Sequence, residues 1–177
     1  MSTPVEIASY DPRWPEVFAE LRGQIAGALG PLAQRIEHVG STAVPGLPAK
    51  PIIDIDVVIA ATADLSAVIS QLATLGYQHE GDFGITGREA FTTPASAPGH
   101  DLYVCAANSP ELARHLVFRD YLRTHPGEAG AYAELKRSLA EQFRSDRDAY
   151  SQGKTTFINH VLAAADSLLE GADATSE

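Results

Sequence analysis

Two aspartates, Asp54 and Asp56, interrupt the otherwise apolar run IIDIDVVI from Ile52 to Ile59. Alternate side chains of a strand share a face, so Ile52, Asp54, Asp56 and Val58 point one way and Ile53, Ile55, Val57 and Ile59 the other. The second face is wholly apolar. The first is apolar at both ends with two carboxylates in the middle. Like charges side by side repel, and burial raises the cost of each unless something positive sits between them. A divalent metal ion would meet that need. A solvated edge strand, with an ordinary turn before it, is the plainer alternative.

Gly40 and Ser41 precede this strand by a loop of about ten residues. Glycine lets the backbone approach a phosphate, and exposed amides with the Ser41 hydroxyl can donate to its oxygens. A D-x-D pair on one face can hold one or two magnesium ions. Two-metal phosphoryl chemistry needs carboxylates that keep the ions about 3.5 to 4 Å apart, and a strand supplies that rigidity. Positive side chains should surround a triphosphate. The candidates are Lys50, Arg88, Arg119, Arg123 and Lys136. His115, Arg119 and Arg123 recur at i, i+4 and i+8, one helical face that could look toward the sheet or lie in solvent with Asp120 pairing to Arg123. Tyr132 and Lys136 form a similar pair.

Other motifs carry less. GKT at Gly153 to Thr155 resembles the end of a P-loop, but Asp148 stands where the first glycine belongs and a helix precedes it. GDFG around Asp82 lacks any kinase companion. The six histidines show no paired zinc spacing, and His38 reads as packed or backbone-bonded. Cys105, in an apolar strand, reads as an inert core thiol.

The elements that must position these groups follow from periodicity. Val5 to Tyr10 suggests a short first strand. DPRW starts a helix with Asp11 as N-cap and Pro12 in the first helical position, and Val17, Phe18, Leu21, Ile25 and Leu29 form its apolar stripe up to Gly30. Gln34 to Val39 is a strand, Gly40 to Pro51 a loop, and Asp64 to Leu75 a helix stopped by Gly76. Tyr77 to Thr93 holds one or two strands and Asp101 to Ala106 another. Beyond Ser109 the pattern is helical, around Glu111 to His125, Glu128 to Arg144 and Thr155 to Leu169. Residues 1–170 read as a single domain and 171–177 as a frayed tail.

Bulk properties narrow the partners. A chain of 177 residues, 45% hydrophobic, suits one core. A formal net charge of -10 disfavours a general grip on nucleic acid and favours small-molecule partners. With a lone cysteine, no leader pattern at the start and no run of about 18 apolar residues, a cytoplasmic, membrane-free protein is expected.

HVGSTAVPGLPAKPIIDIDV, together with FRDYLRTHP, YAELK and GKTTFI, resembles the GrpB family, whose members are assigned to the nucleotidyltransferase fold of the polymerase-β-like superfamily. The resemblance runs from SYDPRW to the GKTTFI helix. It implies an α+β fold, a small mixed β-sheet of nucleotidyltransferase type with a helical C-terminal part packed on it. It further implies that Gly40 and Ser41 cradle a nucleoside triphosphate, that Asp54 and Asp56 bind its Mg2+, and that a third carboxylate comes from a neighbouring strand. Asp101 is the best position for that carboxylate, since it shares a face with Tyr103. The family pattern also singles out Arg119 and Lys136 for phosphate. GrpB-like domains occur joined to dephospho-CoA kinase, which makes that enzyme a candidate partner. Two functions stay open: a magnesium-dependent transfer of a nucleotidyl group to an unknown acceptor, or a non-catalytic nucleotide- or partner-binding module of the same fold, linked to coenzyme A biosynthesis.

Overall fold

A computed structural model describes residues 4–60 and 64–173. Five strands form one mixed sheet in the order β1-β2-β5-β4-β3: β1 Arg35–Val39, β2 Ile53–Ile59, β3 Gln78–Gly81, β4 Arg88–Thr92 and β5 His100–Ala106. β2 and β5 run parallel at the centre; every other pairing is antiparallel. The aspartate strand is therefore buried between two neighbours rather than at an edge, which disposes of the solvated-edge alternative.

One face of the sheet packs on α1 (Trp14–Leu29) and α2 (Leu65–Ala73). Ile53, Ile55 and Val57 of β2 and Leu102 and Val104 of β5 meet Leu21, Ile25, Val68 and Leu72 there. Each such side chain contributes about 1.5–3 kcal/mol by leaving water. The opposite face carries the acidic groups and is covered by α3 (Pro110–Thr124), α4 (Pro126–Gln142), α5 (Arg147–Gly153) and α6 (Thr155–Asp173). Leu122 of α3, Tyr132 of α4 and Val161 of α6 close on Val44 and Leu47 of the loop that follows β1. That loop is thereby clamped between sheet and helices, and the residues at its start are held against β2.

Four local expectations change. The stretch from Val5 to Tyr10 makes only an isolated bridge between Ala8 and Ala49, because Val5 bonds instead to the carbonyl of Arg144 (2.8 Å) beyond α4. α1 begins at Trp14 rather than Pro12, since the Asp11 carboxylate takes the Arg13 amide (2.9 Å) and its guanidinium and so holds a turn ahead of the helix. α5 is an added element. Its N-cap is Asp146, which accepts from the Ala149 amide at 3.0 Å. α6 includes Gly171 to Asp173, which were expected in the tail; residues 174–177 lie outside the described residues.

Candidate functional site

Strand register brings the acidic groups together. Asp54 lies opposite Val39 of β1 and Asp101 of β5, and Asp56 lies opposite Glu37 and Tyr103. Registered partners project to the same side, so the helix-covered face carries Asp54, Asp56, Asp101 and Tyr103, with Arg88 of β4 opposite Cys105.

Asp56 is fully buried. Its Oδ2 accepts from Nδ1 of His115 at 2.6 Å, and its Oδ1 has no partner among the described residues. The second nitrogen of His115 lies 3.3 Å from Glu111 Oε1. Burial would push the His115 pKa down, but the hydrogen bond and charge of Asp56, with Glu111 and Asp54 beyond, raise it above the ordinary value. Carboxylates on both sides thus favour the protonated imidazole.

Asp54 is partly open to a cleft between the sheet and the helices. Burial and then the neighbouring charge of Asp101 push its pKa up to about 7, against the pull of His115 and Lys154. Such a shift marks a carboxylate short of positive charge. Gly40 faces it directly. With φ at +69, a Cβ there would fall 2.1 Å from Asp54 Oδ2, so only glycine lets this backbone sit against the carboxylate. The next residue, Ser41, accepts a hydrogen bond at Oγ from Lys136 Nζ at 2.9 Å, and the same ammonium donates to the Pro48 carbonyl.

Two cavities meet at a shared wall of Ser41, Asp54, Tyr103 and Lys154. The first is basic. Lys50, Lys136 and Lys154 line it with Asp101, and Nζ of Lys50 and of Lys154 stand 5.2 and 4.6 Å from the centroid of the Tyr150 ring. Burial, then the charges of Lys154 and Arg137, push the Lys136 pKa down to about 7 against the pull of Asp54. Burial and Lys50 lower that of Lys154, and burial and Arg147 lower that of Lys50. Lysines crowded in this way gain from any anion that enters. The second cavity is more apolar, walled by Val39, Phe118, Tyr132 and Ile158, with Gly40 and Arg88 at its sides.

The structure therefore gathers Gly40, Ser41, Lys50, Asp54, Arg88, Asp101 and Lys136 around one cleft. Arg119 does not line either cavity. The α3 face of His115, Arg119 and Arg123 does look at the sheet, but toward protein acceptors. Arg119 Nη1 bonds Glu37 (2.9 Å) and the His38 carbonyl (3.0 Å), and Arg123 Nε bonds the Ala43 carbonyl (2.9 Å). His38 stacks on Phe18 with centroids 4.7 Å apart and bonds Thr42 Oγ1 at 2.9 Å, which stiffens the turn from behind. Burial, with Arg123 and Arg119 near, pushes its pKa down to about 4, so it stays neutral. Cys105 is fully buried, and burial pushes its thiol up to about 12.

Two participants were not legible as such. Lys154 belongs to the GKT that fails as a P-loop, yet the α5–α6 junction puts it in both cavities. The carboxylate contacts of His115 depend on α3 crossing β2, which no spacing in the sequence encodes.

The carboxylates available to a divalent ion are Asp54, at the shared wall, and the buried Asp56 behind it, which lines neither cavity. Among the described residues no trio of His, Cys, Asp or Glu forms a ready-made metal cluster. Asp54, short of positive charge, and the free Oδ1 of Asp56 could supply two carboxylate oxygens. Mg2+ suits so sparse a set, because it is commonly held by one or two carboxylates and completes its shell with phosphate oxygens and water.

A mixed sheet with a D-x-D strand beside a Gly-Ser turn, capped by helices, is the nucleotidyltransferase type of fold. The Cid1 poly(U) polymerase structure with Mg and 3'-dATP superposes with a TM-score of 0.53 at 13% identity, over 83% of this chain and 49% of that one, a likeness of fold alone. The chain belongs to the GrpB family: the model for "GrpB protein" matches residues 4–164. The crystal structure of conserved protein GrpB from Enterococcus faecalis aligns with a TM-score of 0.82 at 33% identity, covering 90% of this chain and 96% of that one. Protein PA4798 of Pseudomonas aeruginosa is 40% identical over 91% of this chain and 67% of its own length. Protein YqkA of Bacillus subtilis is 38% identical over 87% of this chain, which spans only 45% of that relative. A dephospho-CoA kinase of Mycolicibacterium paratuberculosis is 26% identical over 92% of this chain and 46% of its own length.

Proposed function

We propose that this protein binds a magnesium–nucleoside triphosphate and transfers its nucleotidyl group to an acceptor hydroxyl. The reading rests above all on one juxtaposition, the Gly40–Ser41 turn closed against Asp54 with Lys136 bonded to Ser41. Asp54 and Asp56 would hold the ion, whose positive charge would offset that of the phosphates. Gly40 and Ser41 would seat phosphate oxygens through the turn amides and the serine hydroxyl, and Lys50, Lys136 and Lys154 would receive the β- and γ-phosphates. In the transfer, the acceptor oxygen bonds to the α-phosphorus as the α–β bridging P–O bond breaks. Pyrophosphate leaves toward the lysines, and the hydroxyl proton passes to Asp101. Each displaced charge meets an opposite one already in place, which lowers the barrier without reorganisation. A cytoplasmic setting goes with this reading; among the described residues no helix is long and apolar enough to cross a membrane.

A second reading draws on one contact. The Asp56 carboxylate is already engaged by His115, which suits a nucleotide- or partner-binding module without turnover. The dephospho-CoA kinase relative would make coenzyme A synthesis its setting.

A thermal-shift series of nucleoside triphosphates with and without magnesium tests the reading, because a ligand that binds the native state raises its stability by about 2.7 kcal/mol at a hundred times Kd. A shift that needs both components, and disappears in Asp54→Asn/Asp56→Asn, is expected. An undiminished shift in that double variant would remove both aspartates from the site. Pyrophosphate release then separates the two readings.

A further inference from the structure

We infer that the cavity beyond Asp54 from the lysines is the acceptor site, and that the acceptor carries an anionic group, phosphate or carboxylate, which Arg88 binds. The inference rests on the nucleotidyl-transfer reading for the word acceptor; the anion site itself rests on Arg88.

The stereochemistry divides the cleft. Displacement at phosphorus is in line, so the attacking oxygen and the leaving group lie on opposite sides of the α-phosphorus. Lys50 and Lys136 line one cavity only, which makes that cavity the exit for pyrophosphate. Asp54, Ser41, Tyr103 and Lys154 are common to both. An α-phosphate at the shared wall is then approached from the other cavity. Asp101 lines the lysine cavity, so it meets the acceptor hydroxyl only at the shared wall, next to Asp54, its registered neighbour on the adjacent strand.

The chemistry of that cavity describes its guest. Phe118, Tyr132, Val39 and Ile158 offer an apolar wall. The charges within it are mostly matched: Arg114 stands 3.6 Å from Glu111, and His115 lies between Glu111 and Asp56. Lys154, at the shared wall, would serve the triphosphate, which leaves Arg88 as the cavity's unmatched charge. Its guanidinium lies over the Tyr103 ring at 4.5 Å, and its Nε is buried without a hydrogen-bond partner among the described residues. A buried guanidinium nitrogen left unpaired is costly, and a planar fork stacked on an aromatic ring is oriented to take two oxygens of one anion. Lysine reproduces the charge without the fork.

Phenyl phosphate, benzoate and benzyl alcohol probe the site, titrated by calorimetry into protein saturated with magnesium tripolyphosphate, which occupies the lysine cavity regardless of base. Wild type should bind phenyl phosphate or benzoate and bind benzyl alcohol at least tenfold more weakly. Which anion binds tighter separates phosphate from carboxylate. Arg88→Met should lose at least tenfold in anion affinity, Arg88→Lys should recover part of it, and tripolyphosphate affinity should stay within twofold in both. Equal binding of all three probes, no binding of any, or a loss of tripolyphosphate affinity in Arg88→Lys overturns the proposal. The last outcome would return Arg88 to the triphosphate. Should wild type fail to bind tripolyphosphate, the nucleotide reading falls, and the same titrations without it still decide whether Arg88 holds an anion.

Discussion

Gly40 presses its backbone against the Asp54 carboxylate so closely that a Cβ would stand 2.1 Å from Oδ2 and 2.8 Å from Cγ. The pair couples the turn to the strand. Gly40→Ala should therefore lower stability by about 1–3 kcal/mol, from the positive φ and the displaced carboxylate together. It should also abolish the magnesium-nucleotide shift. In Gly40→Ala/Asp54→Ala the steric part should return while binding stays lost. Urea denaturation of the four combinations measures the coupling; strictly additive effects would mean the turn and strand are independent.

Arg119 ties α3 to β1 rather than facing the cleft, with its side chain 11% exposed and bonded to Glu37 and the His38 carbonyl. Arg119→Ala should cost about 1.5–3 kcal/mol of stability, the range for hydrogen bonds to a charged group. Nucleotide affinity should stay within twofold of wild type once both proteins are folded. A tenfold loss of affinity at unchanged stability would place Arg119 on a phosphate instead.

Much of this was legible in the sequence, for identifiable reasons. The period-two alternation around Asp54 and Asp56 survives folding because β2 is central and its other face is pure core. The Gly-Ser turn was legible because glycine marks backbone that side chains would obstruct. The α3 basic face was legible as a face but not in its partners, since Glu37 and the carbonyls of His38 and Ala43 come from some eighty residues away. Lys154 was hidden by its motif. Its neighbours are set by α5, seven residues of weak helical pattern whose one clear signal was Asp146 as a cap.

Lys136 makes stability depend on pH in a defined window. Its folded pKa is pushed down to about 7 from an ordinary 10.5, by burial first and by Lys154 and Arg137, with Asp54 opposing; Ser41 and Pro48 accept its protons. Between those values the unfolded chain binds the extra proton, so its contribution to stability rises from pH 7 toward 10.5 and is flat below 7. Wild type should gain on Lys136→Met across that range in chemical denaturation. With magnesium tripolyphosphate bound, the anion favours the charged ammonium and the gain should shrink. A constant gap from pH 7 to 10 would show that Lys136 titrates normally.

Asp101 separates binding from turnover. It is exposed, lies opposite Asp54 in the parallel register and lines the lysine cavity, so its charge bears on the shared wall without closing it. A group that only accepts the acceptor's proton contributes in the transition state and little in the ground state. Asp101→Asn keeps the shape and removes the base. Once an acceptor is supplied, the variant should bind magnesium-nucleotide within about threefold of wild type and release pyrophosphate about 10²–10⁴-fold more slowly, the usual range for a general base. The loss should appear in kcat with KM little changed. Pyrophosphate release that is unchanged in Asp101→Asn would sink the assignment. A parallel loss of nucleotide affinity would instead make Asp101 part of the binding site, since removing a negative charge from the lysine cavity should by itself leave the triphosphate held at least as tightly.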